Sequence, residues 1–223
     1  VVEKEDCTKA LRAAHAALAL SNTCLSVCVL GATGVVGSEF MMQLGESRRV
    51  VDKASPGVLV AMVARDAGGN VVISEVNPHR LAIARKLGFD VINPMETDLA
   101  ETINERTGGK GADVVFEVSG TQPGVDAMTD CAATRGRIVM VAIHASKPEV
   151  DMFRFFWREL ELIGVRVYEK DDYEKAISII ASGGVDADTV ITDISPLSDI
   201  QQAFESLDSS PTALKSLIPR SRN

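Results

Sequence analysis

Histidine, cysteine and clustered positive charge are all in short supply in this chain, and each shortage closes off a class of chemistry. The 3 histidines stand singly at 15, 79 and 144, with no HExxH or similar grouping that would set two imidazoles on one helix face. The 4 cysteines, at 7, 24, 28 and 131, contain no CxxC pair, so no zinc site can be assembled from neighbouring residues. Cys24 and Cys28 flank and enter the apolar stretch Leu25-Ser26-Val27-Cys28-Val29-Leu30, where cysteine behaves as a small buried hydrophobe. A net charge of −8 without a basic stripe excludes non-specific binding to nucleic acid or to an anionic membrane, both of which need a clustered positive surface. Long hydrophobic runs are lacking too. The most apolar early stretch, residues 11–31, is broken by Arg12, His15 and Ser21-Asn22-Thr23, which argues against a membrane span or a signal peptide. A cytoplasmic protein is therefore expected.

What is present is ordinary globular material, 46% hydrophobic and 24% charged over 223 residues, enough for one large domain or a domain with an appendage. Residues 1–23 read as a helical adaptor, rich in Ala and Leu, and 24–223 as one Rossmann-type domain with C-terminal helices. A strand is expected from Cys24 to Leu30. It runs into Gly31-Ala32-Thr33-Gly34-Val35-Val36-Gly37 and then the apolar-periodic Phe40, Met41 and Leu44. Strand, glycine turn, helix is the order that lets a backbone approach a pyrophosphate at a helix start, although the spacing here is GxxGxxG instead of GxGxxG. The segment from Gly57 to Gly69 can be a second strand, or a crossover helix packing Leu59, Met62 and Val63 at i, i+3, i+4. The helix reading sets Gly57 before Glu75 by close to the glycine-to-acid interval of about 20 residues, and two glycine turns then compete for one pyrophosphate.

Downstream the pattern is regular. Val71-Val72-Ile73-Ser74-Glu75 reads as a strand buried on both faces and ending in a carboxylate. Asn77 then caps a helix that has Pro78 at its first position. Strands follow at 89–92, 113–118, 137–143 and 160–168, helices at 99–106, 123–133 and 152–158. Two amphipathic helices close the chain, the last opened by a Ser198-Asp199-Ile200-Gln201 capping box. Strictly alternating strands and helices imply an α/β, doubly wound parallel sheet in three layers. An acid at the end of its second strand accepts hydrogen bonds from both ribose hydroxyls of an adenosine and repels a 2′-phosphate, so Glu75 points to NAD over NADP. Were Glu75 not in the site, Arg65, at the end of the alternative second strand, would be the 2′-phosphate partner. Phe153, Phe155, Phe156 and Trp157 form an aromatic cluster expected to pack, and a lone His144 is expected to be structural.

Several ordered motifs carry a family resemblance. Val71 to Leu81, Gly109-Lys110-Gly111-Ala112-Asp113-Val114-Val115-Phe116-Glu117-Val118-Ser119-Gly120, Gly136-Arg137-Ile138-Val139 and Ser195 to Phe204 resemble the coenzyme-binding domain and C-terminal return of zinc-dependent medium-chain alcohol dehydrogenases, of the threonine, sorbitol and butanediol dehydrogenase kind. That resemblance covers residues 57–218. It implies an NAD-binding oxidoreductase domain in which Gly31, Gly34 and Gly37 hold the pyrophosphate, Glu75 the ribose and Arg80 the adenine or its phosphate. Ser119 and Gly120 would border the adenine pocket, and the backbone of Val141, Ala142 and Ile143 would face the nicotinamide. It also implies a homodimer through strand 160–168. In that family the catalytic zinc ligands and most of the substrate pocket come from a preceding domain, and residues 1–56 supply none of them. The chain is thus expected to turn over an alcohol or polyol only with a catalytic domain supplied. Residues 1–50, from Glu5 to His15 and through the first glycine turn, separately resemble the homoserine dehydrogenase junction of bifunctional aspartokinase/homoserine dehydrogenases. The alternatives carried forward are a homoserine-dehydrogenase-like enzyme and a non-catalytic dinucleotide-binding or interaction domain.

Overall fold

The computed structural model describes residues 26–30, 50–52, 56–166, 170–210 and 212–218. Its core is a six-stranded, wholly parallel sheet of β1 (Ser26–Leu30), β3 (Asn70–Ser74), β4 (Asp90–Ile92), β5 (Ala112–Glu117), β6 (Ala132–Met140) and β7 (Glu161–Gly164) in the order β4-β3-β1-β5-β6-β7. The central strand shows why such runs read as unbroken apolar segments. Val27 and Val29 enter one core cluster and Cys28 and Leu30 the other, all at 2% exposure or less, because helices cover both faces. On the first face lie α1 (Pro56–Asp66), α2 (Pro78–Lys86) and α6 (Lys170–Ala181); on the second, α3 (Leu99–Arg106) and α4 (Gln122–Cys131).

Residues 57–69 are resolved in favour of the helix. Every residue from Val58 to Ala64 is buried in α1, and a helix wrapped by core on all sides has no polar stripe from which a 3.6-residue period can be read. It returns the chain from the carboxyl side of the sheet to β3, with Gly57 buried in its first turn. Between β1 and α1 the chain passes through β2 (Val50–Asp52), which leaves the main sheet to pair antiparallel with β9 (Lys215–Leu217); β9 in turn pairs parallel with β8 (Ile191–Ile194). This small second sheet has no counterpart in the sequence reading. It is built from strands of 3 or 4 residues that are too short to announce themselves.

Two further local expectations are corrected. The C-terminal helix α7 (Ile200–Ser209) is not opened by a capping box: Ser198 Oγ bonds the Asp199 carboxylate at 2.7 Å instead, and a short 3-10 turn (Leu197–Asp199) leads in. An acidic neighbour at the N-cap position has captured the hydroxyl. Of the aromatic cluster on α5 (Met152–Arg158), Phe155 packs on the core, whereas Phe153 and Trp157 stack on each other at 5.9 Å in solvent and Phe156 is exposed. That helix is anchored at its far end by Arg158, whose Nη1 donates to the carbonyls of Thr129, Asp130 and Ala132 at 3.1, 3.2 and 2.8 Å. The guanidinium so satisfies the open carbonyls where α4 ends.

Candidate functional site

The order of the sheet fixes where a ligand can sit. The chain builds outward from β1 to β3 and β4, then crosses to β5 on the other side of β1, so the connections leaving β1 and β5 run to opposite faces. A crevice opens at the carboxyl ends of two such strands, and open α/β sheets bind their ligands there.

On one flank, β3 delivers Glu75 to this edge. The residue is 2% exposed. Its Oε1 accepts from the backbone N–H groups of Val76 and Asn77, both at 2.8 Å, and its Oε2 lies 3.7 Å from Arg80 Nη1. Asn77 holds the next helix in place by accepting from His79 and Arg80 N–H, with Pro78 following it as read from the sequence. Burial pulls the Arg80 pKa down from its ordinary value and the Glu75 carboxylate pulls it back. The pair presents a hydrogen-bond acceptor and a cation side by side, which suits a polyhydroxylated ligand that is anionic nearby.

The centre is organised by Glu117, which sequence reasoning treated as an ordinary strand residue. It closes β5 at 0% exposure. Its Oε1 accepts from Ser119 N (2.9 Å), Ser119 Oγ (2.5 Å) and Gly120 N (3.1 Å), while its own carbonyl accepts from Val141 and Ala142 N–H at 2.9 and 3.1 Å. One residue therefore ties the loop after β5 to the loop after β6. Two glycines make the knot possible. Gly120 takes φ +68°, and a Cβ there would stand 2.9 Å from the Ile143 carbonyl oxygen; at Gly124 it would fall within contact of both Ser119 Oγ and, at 2.6 Å, Glu117 Oε1. Burial pushes the Glu117 carboxyl above its usual range, and the bond from Ser119, the His144 imidazole and the backbone N–H groups of Gly120 and Ser119 draw it back down. His144, expected to stand alone, sits with Nε2 3.5 Å from Glu117 Oε2. The available signal was the sequence Phe116-Glu117-Val118, an acid inside an otherwise apolar buried run, which costs too much to be accidental.

Ser119, Gly120, Val141, Ala142 and Ile143 are thus brought together, and Glu75 and Arg80 are brought together beyond β1. Gly31, Gly34 and Gly37 lie outside the described residues, as do the adaptor segment 1–23, Cys7, Cys24 and His15. Arg65 is displaced from any phosphate role: it ends α1 at the amino side of the sheet, donates to Leu87 O at 2.7 Å and stacks over Phe89 at 4.2 Å. Cys28 and Cys131 prove to be neighbours across the second core cluster. The hydrogen bond between them and their burial raise the Cys28 thiol well above its usual pKa, the opposite of what a metal ligand or nucleophile needs. Among the described residues no three His, Cys, Asp or Glu side chains converge into a metal-holding set, so these residues do not fit a catalytic zinc ion. No helix among them is long and apolar enough to cross a membrane.

Comparison with known proteins bears out the fold. A family model described as zinc-binding dehydrogenase matches residues 57–182. The chain is 49% identical over 177 residues to 2-dehydro-3-deoxy-L-galactonate 5-dehydrogenase of Pseudoalteromonas atlantica, covering 79% of this chain and 52% of that protein. Among solved structures it is similar to 2R,3R-butanediol dehydrogenase of Bacillus subtilis, with a TM-score of 0.81 at 24% identity over 98% of this chain and 56% of the other. A zinc-binding dehydrogenase of Sinorhizobium meliloti, solved bound to NADP, gives 0.76 at 21% identity over 97% and 58%. The chain spans about half the length of the curated relatives it matches. The resemblance of residues 1–50 to homoserine dehydrogenase gains no support from these relatives.

Proposed function

Because the chain belongs to the zinc-binding dehydrogenase family, we propose that it is the dinucleotide-binding part of an alcohol or polyol oxidoreductase, with NAD as the cofactor. The observation that carries this is the convergence at one sheet edge of Glu75 with Arg80 on one flank and the knotted Ser119-Gly120 and Val141-Ile143 loops on the other. In this reading Glu75 accepts the adenosine ribose hydroxyls and Arg80 lies along the adenine or its phosphate. Ser119 and Gly120 border the adenine pocket, and the backbone of Val141, Ala142 and Ile143 faces the nicotinamide. In this reading the pyrophosphate is held by Gly31, Gly34 and Gly37, which lie outside the described residues, or by the start of α1 at Gly57, whose N–H groups suit an anion. The bound cofactor supplies the hydride acceptor. The chain's own residues would orient it.

The substrate and the group that takes the hydroxyl proton belong, in this proposal, to sequence matching the other half of the relatives' length. The relative in Pseudoalteromonas acts on a sugar acid, and a polyhydroxylated acid or polyol is the substrate class we assign to the whole enzyme, in the cytoplasm. The purified 223-residue chain should bind NADH, read as a blue shift and gain of nicotinamide fluorescence, yet oxidise no alcohol with or without added zinc. Absence of any NADH binding at millimolar concentration would remove the proposal. Stoichiometric zinc with chelator-sensitive turnover would mean that the ligands reside in this chain after all.

The proposal extends to a homodimer. β7 is one edge of the sheet, β4 being the other, and Leu162 on β7, with Met152, Phe153, Phe156 and Trp157 on the preceding α5, is exposed, Trp157 by 70% and Phe156 by 77%. An apolar edge open to water invites pairing, and a two-fold copy of the same strand satisfies its N–H and C=O groups. Sedimentation should show a dimer at micromolar concentration, reduced to monomer by Leu162→Lys. A monomer at high micromolar concentration argues against it.

A further inference from the structure

The loop that leaves β6 is fastened at both of its ends to the connection between β5 and α4. At its start, Val141 and Ala142 N–H donate to the Glu117 carbonyl at 2.9 and 3.1 Å. At its far end the carboxamide of Gln122, the first residue of α4, meets the backbone of Glu149: Nε2 donates to the Glu149 carbonyl at 2.8 Å and Oε1 accepts from the Glu149 N–H at 2.9 Å. The same Nε2 donates to Asp126 Oδ1 at 2.7 Å, one turn along the helix. These three partners fix which way the amide points, because a flip would set its NH2 against an N–H and its oxygen against two acceptors. A side-chain amide used in this way reproduces the two-bond exchange of a pair of antiparallel strand residues, here across 27 residues of chain. Gln122 is itself held in place. Ser119 gives its one hydroxyl proton to Glu117 Oε1, so Thr121 Oγ1, 2.9 Å from Ser119 Oγ, is the donor between the two hydroxyls, and it accepts in turn from Gly124 N–H at 3.3 Å as the N-cap of α4. A one-way chain of hydrogen bonds thus ties the start of α4 to the buried carboxylate at the centre of the site.

We propose that Gln122 is a positioning residue: by pinning Glu149 it turns residues 143–148 into a strap held at both ends, and so keeps the backbone of Val141, Ala142 and Ile143 in the geometry that one end of a bound dinucleotide needs. A loop that is already ordered asks no ordering entropy of its ligand. Released at Glu149, the strap would be held only from Ala142 to Asp151, the N-cap of α5. The wall of the crevice would then occupy its binding geometry for part of the time, and apparent affinity falls by that fraction. The effect is confined to the part of the ligand that the strap touches. That this part is the nicotinamide rests on the reading given under Proposed function; the fastening itself does not.

Gln122→Ala in the full chain is the test, with Gln122→Asn beside it, which keeps the carboxamide but is one methylene too short to reach Glu149. Without ligand, the Glu149 amide of either variant should exchange with solvent roughly three- to tenfold faster, as expected for the loss of an ordinary hydrogen bond, and NMR order parameters of residues 143–147 should fall while those of β5 hold. With ligand, calorimetric titration should show NADH affinity lowered roughly three- to tenfold. ADP-ribose, which carries the same adenosine and pyrophosphate without the nicotinamide, should bind within about twofold of the unsubstituted chain. Unchanged exchange at Glu149 in either variant overturns the fastening. Equal weakening of NADH and ADP-ribose, or a loosened strap with NADH affinity unchanged, overturns the positioning role and leaves the function standing. A strap that loosens in both variants of a chain that binds neither NADH nor ADP-ribose supports the fastening and overturns the proposed function.

Discussion

Replacing Glu117 by alanine should cost the chain about 3–5 kcal/mol of stability, because three buried donors lose their acceptor at once. The substitution leaves Ser119 N–H, Ser119 Oγ and Gly120 N–H without their acceptor inside the fold. Each buried donor so orphaned costs roughly 1–3 kcal/mol, and rotation of the Ser119 hydroxyl toward Thr121, already 2.9 Å away, recovers part of it. Water entering the space of the lost side chain recovers some more, which is why the expected figure is below the sum of three separate losses. Urea unfolding followed by far-UV circular dichroism reads the effect as a lower midpoint at unchanged slope. Glu117→Gln, which keeps one acceptor oxygen and the shape, should lose less than half as much. Equal losses in the two variants would mean that neither the packing nor a single acceptor oxygen, both kept in Gln, is what Glu117 contributes.

Glu75→Ala should weaken NAD binding by about 10- to 100-fold and erase the discrimination between NAD and NADP. Hydrogen bonds to a charged acceptor contribute roughly 1.5–3 kcal/mol each, and a factor of ten corresponds to about 1.4 kcal/mol; the stated range therefore corresponds to the net loss of about one such bond, the second ribose hydroxyl finding water in place of the carboxylate. The lower figure allows for the carboxylate's standing partners, since Val76 and Asn77 N–H occupy Oε1 before any ligand arrives. In the unsubstituted chain NADP should bind at least tenfold more weakly than NAD, because its 2′-phosphate meets the Glu75 carboxylate. Arg80 works in the other direction. Its guanidinium, 3.7 Å from Glu75 Oε2, is the cation a 2′-phosphate would find once the acid is gone, so NADP affinity should rise or hold in Glu75→Ala while NAD affinity falls. Calorimetric titration of both cofactors checks this, and equal binding of NAD and NADP by the unsubstituted chain would sink it.

The positions of Glu75 and Glu117 show how differently two buried acids can be read. Glu75 was legible because its whole context is local: a β-branched run before it, an N-cap and a helix-starting proline after it, each acting within a few residues. Glu117 has the same kind of strand before it, but its significance lies in contacts with Gly124 on the next helix and with His144 on the next strand's loop. No periodicity or spacing rule links those positions. His144 could only be judged a lone histidine until the sheet set β5 and β6 side by side.

The alternation of buried strands and capped helices from Val71 onward, and with it the doubly wound class, was determined by the sequence alone, since burial on both faces leaves its mark on every strand residue. So were the family and the carboxylate at the end of the second strand. The tertiary structure alone decided that residues 56–66 are a helix, because a segment buried on every side carries no period to distinguish helix from strand. It also decided that β2, β8 and β9 make a second sheet, for strands of three or four residues have no stability apart from their partners. Lastly it decided that Glu117, Ser119, Gly120, Gly124 and His144 form one knot; a buried charge is tolerated only where distant parts of the chain converge to satisfy it, and that convergence is a property of the fold.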